Sequence, residues 1–116
     1  MRFEIPFPPR VLHPNEASKH WAKRVGPRKR FKQDCFFMAK TVRWTPPAEG
    51  AIDIVVLWHP KDHNVPDKDG CIANLKAAFD GIALAWGVND KRFNPTVKIM
   101  PSIKGGKVII TVGEEA

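Results

Sequence analysis

Phe3, Ile5 and Phe7 alternate with Arg2, Glu4 and Pro6, the period-two pattern of a strand with one buried face, and Pro8-Pro9 ends it. Residues 10–26 carry Pro14, Asn15 and Gly26 without a clear period and read as an irregular basic loop. Over residues 27–43, Phe31, Cys35, Met38, Ala39 and Val42 recur at helical spacing. Pro27 suits the first turn of that helix and Pro46-Pro47 its stop. Ile52, Ile54, Val55, Val56, Leu57 and Trp58 form a nearly continuous β-branched run, which predicts a central strand covered on both faces; a buried helix of this length has the same apolar content. A polar loop follows over residues 59–70. Ile72, Leu75, Phe79, Ile82, Ala83 and Trp86 then hold an i, i+3, i+4 pattern that predicts one unbroken helix over 70–86, with Asp69 as N-cap and Gly87 just past its end. A turn at 88–93 leads to a strand containing Val97 and Ile99. Ile103-Lys104-Gly105-Gly106-Lys107 is a hairpin signal, and Val108, Ile110 and Val112 alternate on the returning strand. The order strand, helix, strand, helix, strand, strand predicts a single α+β domain over residues 1–116, two layers deep, with a mixed β-sheet and two main helices.

Composition narrows the class further. A chain of 116 residues with 7 Phe and 4 Trp has enough apolar surface for one core, which argues against disorder, and too little length for a second domain. The longest apolar runs, such as residues 54–58, fall far short of the roughly 18 residues a membrane span needs. Met1-Arg2-Phe3-Glu4 opens without an apolar signal core, so the cytoplasm is the expected compartment. Two cysteines, Cys35 and Cys71, are too few for a disulfide scaffold and match no metal-ligand spacing.

The net charge of +7 is unevenly spread. Residues 1–44 hold 11 Lys/Arg against 3 Asp/Glu, and residues 45–116 hold 8 against 9. The tightest stretch contains Lys19, Lys23, Arg24, Arg28, Lys29, Arg30 and Lys32 with no acid among them. Such a field attracts phosphate polymers; the plainer alternative is a solvated basic face. No apolar helical face interleaved with Lys supports a membrane surface as partner.

Candidate chemistry concentrates around the second helix. Asp69, Ala73, Lys76 and Asp80 fall at spacings that share one stripe, Asp67 precedes the cap, and Asp90 follows the helix end. Three aspartates near helix termini can supply hard oxygen ligands for Mg²⁺, which needs only one or two protein carboxylates. Beside a phosphodiester that ion activates a water and stabilises the oxyanion, and Lys76 can neutralise charge on the scissile phosphate. The ordinary alternatives are an Asx turn and N-cap at Asp67 and Asp69, an exposed Lys76–Asp80 pair, and a turn former at Asp90.

Other candidates are weaker. His59 and His63 are four apart, but Pro60 argues against a helix between them and no third zinc ligand is near. Trp21 and Phe31 lie among basic residues and can stack on bases, although the core suits Phe31 better. Gly105-Gly106 sits in a turn rather than before a helix, so it is no phosphate loop. Cys71 has no paired histidine to activate it.

Asp67-Lys68-Asp69, Lys76-Ala77-Ala78-Phe79-Asp80-Gly81 and Gly87-Val88-Asn89-Asp90 together resemble the RusA family of Holliday junction resolvases. Ile5-Pro6-Phe7-Pro8-Pro9 ahead of a basic stretch, and Val97-Lys98-Ile99-Met100-Pro101 followed by Lys104-Gly105-Gly106, extend the resemblance nearly end to end. It implies a RusA-like fold and a small homodimeric endodeoxyribonuclease, bacterial or phage-encoded, that resolves four-way DNA junctions in recombination and repair. Its cofactor would be Mg²⁺, or Mn²⁺ in its place. By resemblance Asp67, Asp69 and Asp90 are the metal-binding aspartates and Lys76 the catalytic lysine. Two departures stand out: Gly70 follows Asp69 where many members have Asn, and Asp69 lies seven residues before Lys76, a turn more than in the shortest members. Seven and four both return to nearly the same helix face. Asn89 also stands where an Asp-Asp pair is common. The rival from another class is a non-catalytic, basic DNA-binding or architectural protein. If the helix over 70–86 is unbroken, it separates Asp69 from its far end by roughly 25 Å, and residues 87–90 span at most about 14 Å. Asp90 then cannot join Asp67 and Asp69 on one metal within a chain, which predicts active sites shared across a two-fold dimer.

Overall fold

The computed structural model describes residues 1–12, 21–63 and 65–113. Strands β1 (Arg2–Ile5), β2 (Ile52–His59), β3 (Phe93–Ile99) and β4 (Lys107–Val112) form one mixed sheet in the order β1-β4-β2-β3. β4 runs antiparallel to both β1 and β2, and β2 runs parallel to β3. Helices α1 (Trp21–Lys40), α2 (Lys68–Asn74) and α3 (Lys76–Trp86) complete a single α+β domain. α1 packs chiefly along α3, and α2 and α3 bridge the parallel strands β2 and β3.

Three expectations need correction. The first is the hairpin. Gly105 and Gly106, at φ of 82° and 74°, do make a tight turn, with the Gly106 N–H donating to the Ile103 carbonyl at 2.8 Å. Yet β3 and β4 are not neighbours, because β2 lies between them. The helical crossover from β2 delivers β3 parallel to it on one edge, so the following turn must carry the chain past the end of β2 to its other side. Glycine signals a turn, not which strands it joins.

The second is the face of β2. Ile52, Ile54, Val56 and Trp58 are buried, whereas Val55, Leu57 and His59 are only half-buried and Asp53 is exposed. The apolar residues on the open side lie opposite Thr111 and Thr96 (from Val55) and Ile109 and Lys98 (from Leu57). Cross-strand packing of that kind favours such residues without a second covering layer.

The third concerns the helices. α1 begins by Trp21, within the stretch read as a loop, and keeps Pro27 in its interior. Pro27 removes one helical hydrogen bond, but Gly26 before it has no Cβ to meet the proline ring, so helical backbone persists. The inner stripe Phe31, Cys35 and Ala39, each at most 2% exposed, anchors the rest. The helix ends at Lys40, ahead of the prolines, where the Thr41 hydroxyl donates to the Met38 carbonyl at 2.6 Å.

The second predicted helix is two. At Leu75 the backbone turns to φ −97°, ψ 6°. Its N–H is shared between the carbonyls of Cys71 (3.2 Å) and Ile72 (3.0 Å), and the latter is the acceptor Lys76 would need for an unbroken ladder. The Phe79 N–H then finds the Leu75 carbonyl at 2.9 Å and the helix resumes. Leu75 itself is fully buried. A break at one buried residue leaves Ile72, Phe79 and Ile82 facing inward, so apolar periodicity does not register it. The N-cap is Asp67 rather than Asp69: its Oδ1 accepts from the Gly70 N–H at 2.6 Å.

α1 and α3 approach closely at Gly81. A Cβ there would press into the Lys32 carbonyl and lie 3.2 Å from the Phe36 nitrogen. Glycine is required for this contact, which fixes the basic helix against the helix carrying Lys76 and Asp80.

Candidate functional site

The C-terminus of α3 determines where Asp90 goes. Gly87 adopts a left-handed conformation at φ 67°, ψ 33°, and the Val88 N–H closes the helix onto the Ala83 carbonyl at 3.0 Å. The chain reverses. Asn89 then caps a short 3-10 turn, Asp90–Arg92, its side-chain oxygen accepting from the Lys91 N–H at 2.9 Å. The Arg92 guanidinium ties this turn to the carbonyls of Pro47 (2.6 Å) and Gly50 (2.9 Å). Phe93 packs edge-on against both Phe79 and Trp86 as β3 begins.

The reversal brings the Asp90 carboxyl beside that of Asp80, near enough to raise its pKa. Arg28 of α1 reaches the same Asp80 at 3.6 Å. Burial pushes the Asp80 carboxyl above the ordinary carboxylate range; the Asp90 carboxylate, which favours a proton held on Asp80, adds to that, against the opposing charges of Lys32 and Arg28. Two neighbouring carboxyl groups favour a shared proton or a cation between them, because two bare anions repel. The exposed Lys76–Asp80 pair considered from sequence does not form: Asp80 partners Arg28, while Lys76 is exposed and makes no ion pair among the described residues.

Asp67 and Asp69 occupy the other end of the helical segment. Asp67 is exposed and spends one carboxylate oxygen on the cap; Asp69 is exposed in the first turn of α2. Gly70 is fitted to that cap, since a Cβ would stand 2.8 Å from Asp67 Oδ1 and 3.3 Å from Pro66 Cβ. An Asn at this position has no room without displacing the cap. Asp69 and Asp80 are eleven residues apart, roughly 16 Å of helix before the break is allowed for. Among the described residues no three His, Cys, Asp or Glu side chains converge on one point. The structure therefore joins Asp90 to Asp80, not to Asp67 and Asp69. The sequence placed Asp80 on a stripe with Lys76 but gave it no place among the metal-binding aspartates.

The remaining candidates separate cleanly. On α1, Lys23, Arg28, Lys29 and Arg30 are exposed and Lys32 is half-buried. Lys19 lies outside the described residues, as do the side chains of Arg24 and Trp21. Phe31 is 2% exposed and belongs to the core. His59 donates through Nδ1 to the Pro101 carbonyl at 2.8 Å, and His63 is exposed. Burial, followed by the charge of Asp67, pushes the Cys71 thiol to about 11, which leaves it an inert core side chain. Among the described residues no helix is long and apolar enough to cross a membrane.

No protein-family model matches the chain. Over 112 residues it is 33% identical to an uncharacterized protein of Xylella fastidiosa (strain Temecula1 / ATCC 700964), an alignment that covers 93% of this chain and 72% of that protein.

Proposed function

The chain belongs to one family with the uncharacterized Xylella fastidiosa protein, and we propose that it is a Mg²⁺-dependent endodeoxyribonuclease of RusA type that resolves four-way DNA junctions. The observation that carries this reading is the contact between Asp80 and Asp90, paired beside Arg28 and on the same helix as Lys76. Two adjoining carboxylates are a sufficient protein donor set for Mg²⁺, which keeps most of its waters. Asp90 and Asp80 would supply one group of carboxylate ligands, and Asp67, through its free oxygen, and Asp69 would supply the other. When bound, the ion lowers the pKa of a water and offsets charge on the phosphate under attack.

The chain's own residues do the rest. Lys76, exposed at the start of α3, places its ammonium on a non-bridging oxygen of the scissile phosphate. The exposed Lys and Arg of α1 hold flanking phosphates and set the register of the duplex arms. The Gly81 contact keeps that basic helix and the acidic pair in fixed relation. Because the two acidic groups stand apart along one chain, the working unit is a homodimer in the cytoplasm, with each site completed by the mate.

The Asp67 cap also fits a second reading, a non-catalytic DNA-binding protein whose aspartates only shape turns. Titrating Mg²⁺, and separately Mn²⁺, into the protein with a synthetic four-way junction and a linear duplex control distinguishes the two. Metal-dependent, paired incisions in the junction are expected. Tight junction binding with no incision at any metal concentration assigns the non-catalytic role.

A further inference from the structure

Phe37 stands on the outer face of α1 with 64% of its surface in solvent, while Phe31, Cys35 and Ala39 fill the inner face. A lone exposed apolar residue is unremarkable in a folded protein; the surroundings of this one are not. The Phe36 ring meets Phe37 edge-on at 5.3 Å and 75°. The Lys40 ammonium sits 5.6 Å from the Phe36 centroid and covers that ring, so Phe37 presents the open aromatic face. Lys23 and Arg30 precede Phe37 at steps of seven, which drift only about 20° each around a helix. Both are exposed. At the end of α1 an open cleft of about 290 Å³ is lined by Lys40, Arg43, Trp44 and Trp86.

We propose that Phe37 is a stacking platform for an unpaired nucleobase, with Arg30 and Lys40 holding the nearest phosphates and Lys23 one further along the strand. The inference rests on the nucleic-acid reading of α1 given above and specifies the feature of the substrate that this helix selects. Aromatic faces interleaved with cations suit single-stranded nucleic acid, since every base has a π-face to stack and a phosphate beside it. Charge argues against a second copy of this chain as the occupant. Among the described side chains of α1, the exposed charged residues away from the α3 contact are Lys23, Lys29, Arg30 and Lys40 against Asp34, so two such faces brought together oppose a net like charge, whereas a phosphate backbone complements it. A base left unpaired where four strands cross, or in a single-stranded stretch, is the ligand that uses both the ring and its cationic flanks.

The test measures binding of the full-length protein in EDTA to fluorescent oligo-dT and to a blunt duplex carrying the same number of phosphates. Phe37→Ala is expected to weaken oligo-dT binding about tenfold and to leave the duplex unaffected. The dependence of oligo-dT binding on salt keeps its slope, because no phosphate contact is lost. Phe37→Trp restores affinity. The proposal is overturned if wild type does not bind oligo-dT, if Phe37→Ala binds it as wild type does, or if duplex binding falls equally. It is also overturned if Phe37→Ala shifts only the monomer–dimer equilibrium in sedimentation, which assigns the ring to an interface between copies. Cleavage is scored separately on the junction with Mg²⁺. Loss of the nuclease reading with an intact oligo-dT effect, and the reverse, are therefore distinct results.

Discussion

The carboxyl of Asp80 lies beside that of Asp90, because the chain reverses between them at Gly87. Arg28 at 3.6 Å offsets part of the resulting repulsion, yet Asp80 stays above the usual carboxylate range, first through burial and then through Asp90. Sites that concentrate like charge are commonly held at some cost to stability.

Asp90→Asn removes one of those charges and supplies an amide that can donate to Asp80. In EDTA the variant is expected to melt at a higher temperature than wild type. Added Mg²⁺ raises the wild-type midpoint, because a ligand that binds only the folded state stabilises it; the variant loses that rise together with junction cleavage. Thermal melts with and without Mg²⁺ check it. An equal Mg²⁺ response in both proteins removes Asp90 from the ion's ligands.

Gly81→Ala is expected to destabilise the fold by about 1–3 kcal/mol, the usual cost of overpacking a tight contact. The added methyl meets the Lys32 carbonyl, which is helix backbone and cannot move aside alone. Urea denaturation gives the size, and the shift appears in the midpoint with little change of slope. A variant as stable as wild type means that α1 and α3 are less closely apposed.

These two positions mark where the sequence is informative and where it is not. Gly87 as the helix end and the alternating faces of β1 and β4 are local features, set by a residue's own conformational freedom or by period, and both are legible. The break at Leu75 changes one dihedral pair while leaving apolar side chains inward, so no pattern reports it. The place of β2 between β3 and β4 is a pairing decision made by the whole sheet, not by the turn at Gly105-Gly106. The aspartates were recognisable as a set by resemblance, but which of them meet depends on the reversal after α3. Asp80 was visible on a stripe with Lys76; what it lies against was not.

Cys35 and Cys71 give a pH prediction. Burial is the main cause in each case, pushing Cys35 to about 12 with Asp34 adding to it, and Cys71 to about 11. Both thiols stay neutral in the folded protein above pH 9, where the unfolded chain ionises. Their contribution is fully present below pH 9 and is lost as pH rises through 9 toward 11 and 12, by at most about 1.4 kcal/mol per pH unit for each. Chemical denaturation across that window is expected to show stability falling with pH. Neither thiol is expected to react with a soluble disulfide reagent at pH 8 until denaturant is added. Rapid labelling of the native protein places at least one of them at the surface.

The last prediction concerns how many chains make one site. Asp67 and Asp69 sit at the start of α2, and Asp90 returns only as far as Asp80, partway along α3. The break at Leu75 does not bring these groups together, since no three acidic or other ligating side chains converge among the described residues. Two copies related by a two-fold axis across this segment would set the start of one beside the end of the other, so that Asp67 and Asp69 of one chain face Asp80 and Asp90 of its mate. Asp69→Asn and Asp90→Asn homodimers each lack a ligand in both sites and are expected to be inactive. In a mixed dimer both substitutions fall in the same site and the other site is whole. Mixing the two variants is therefore expected to restore nicking of a single strand in a four-way junction, without paired incision. Subunit exchange is verified by differently tagged copies purified together. Exchange without nicking means that each chain completes its own site.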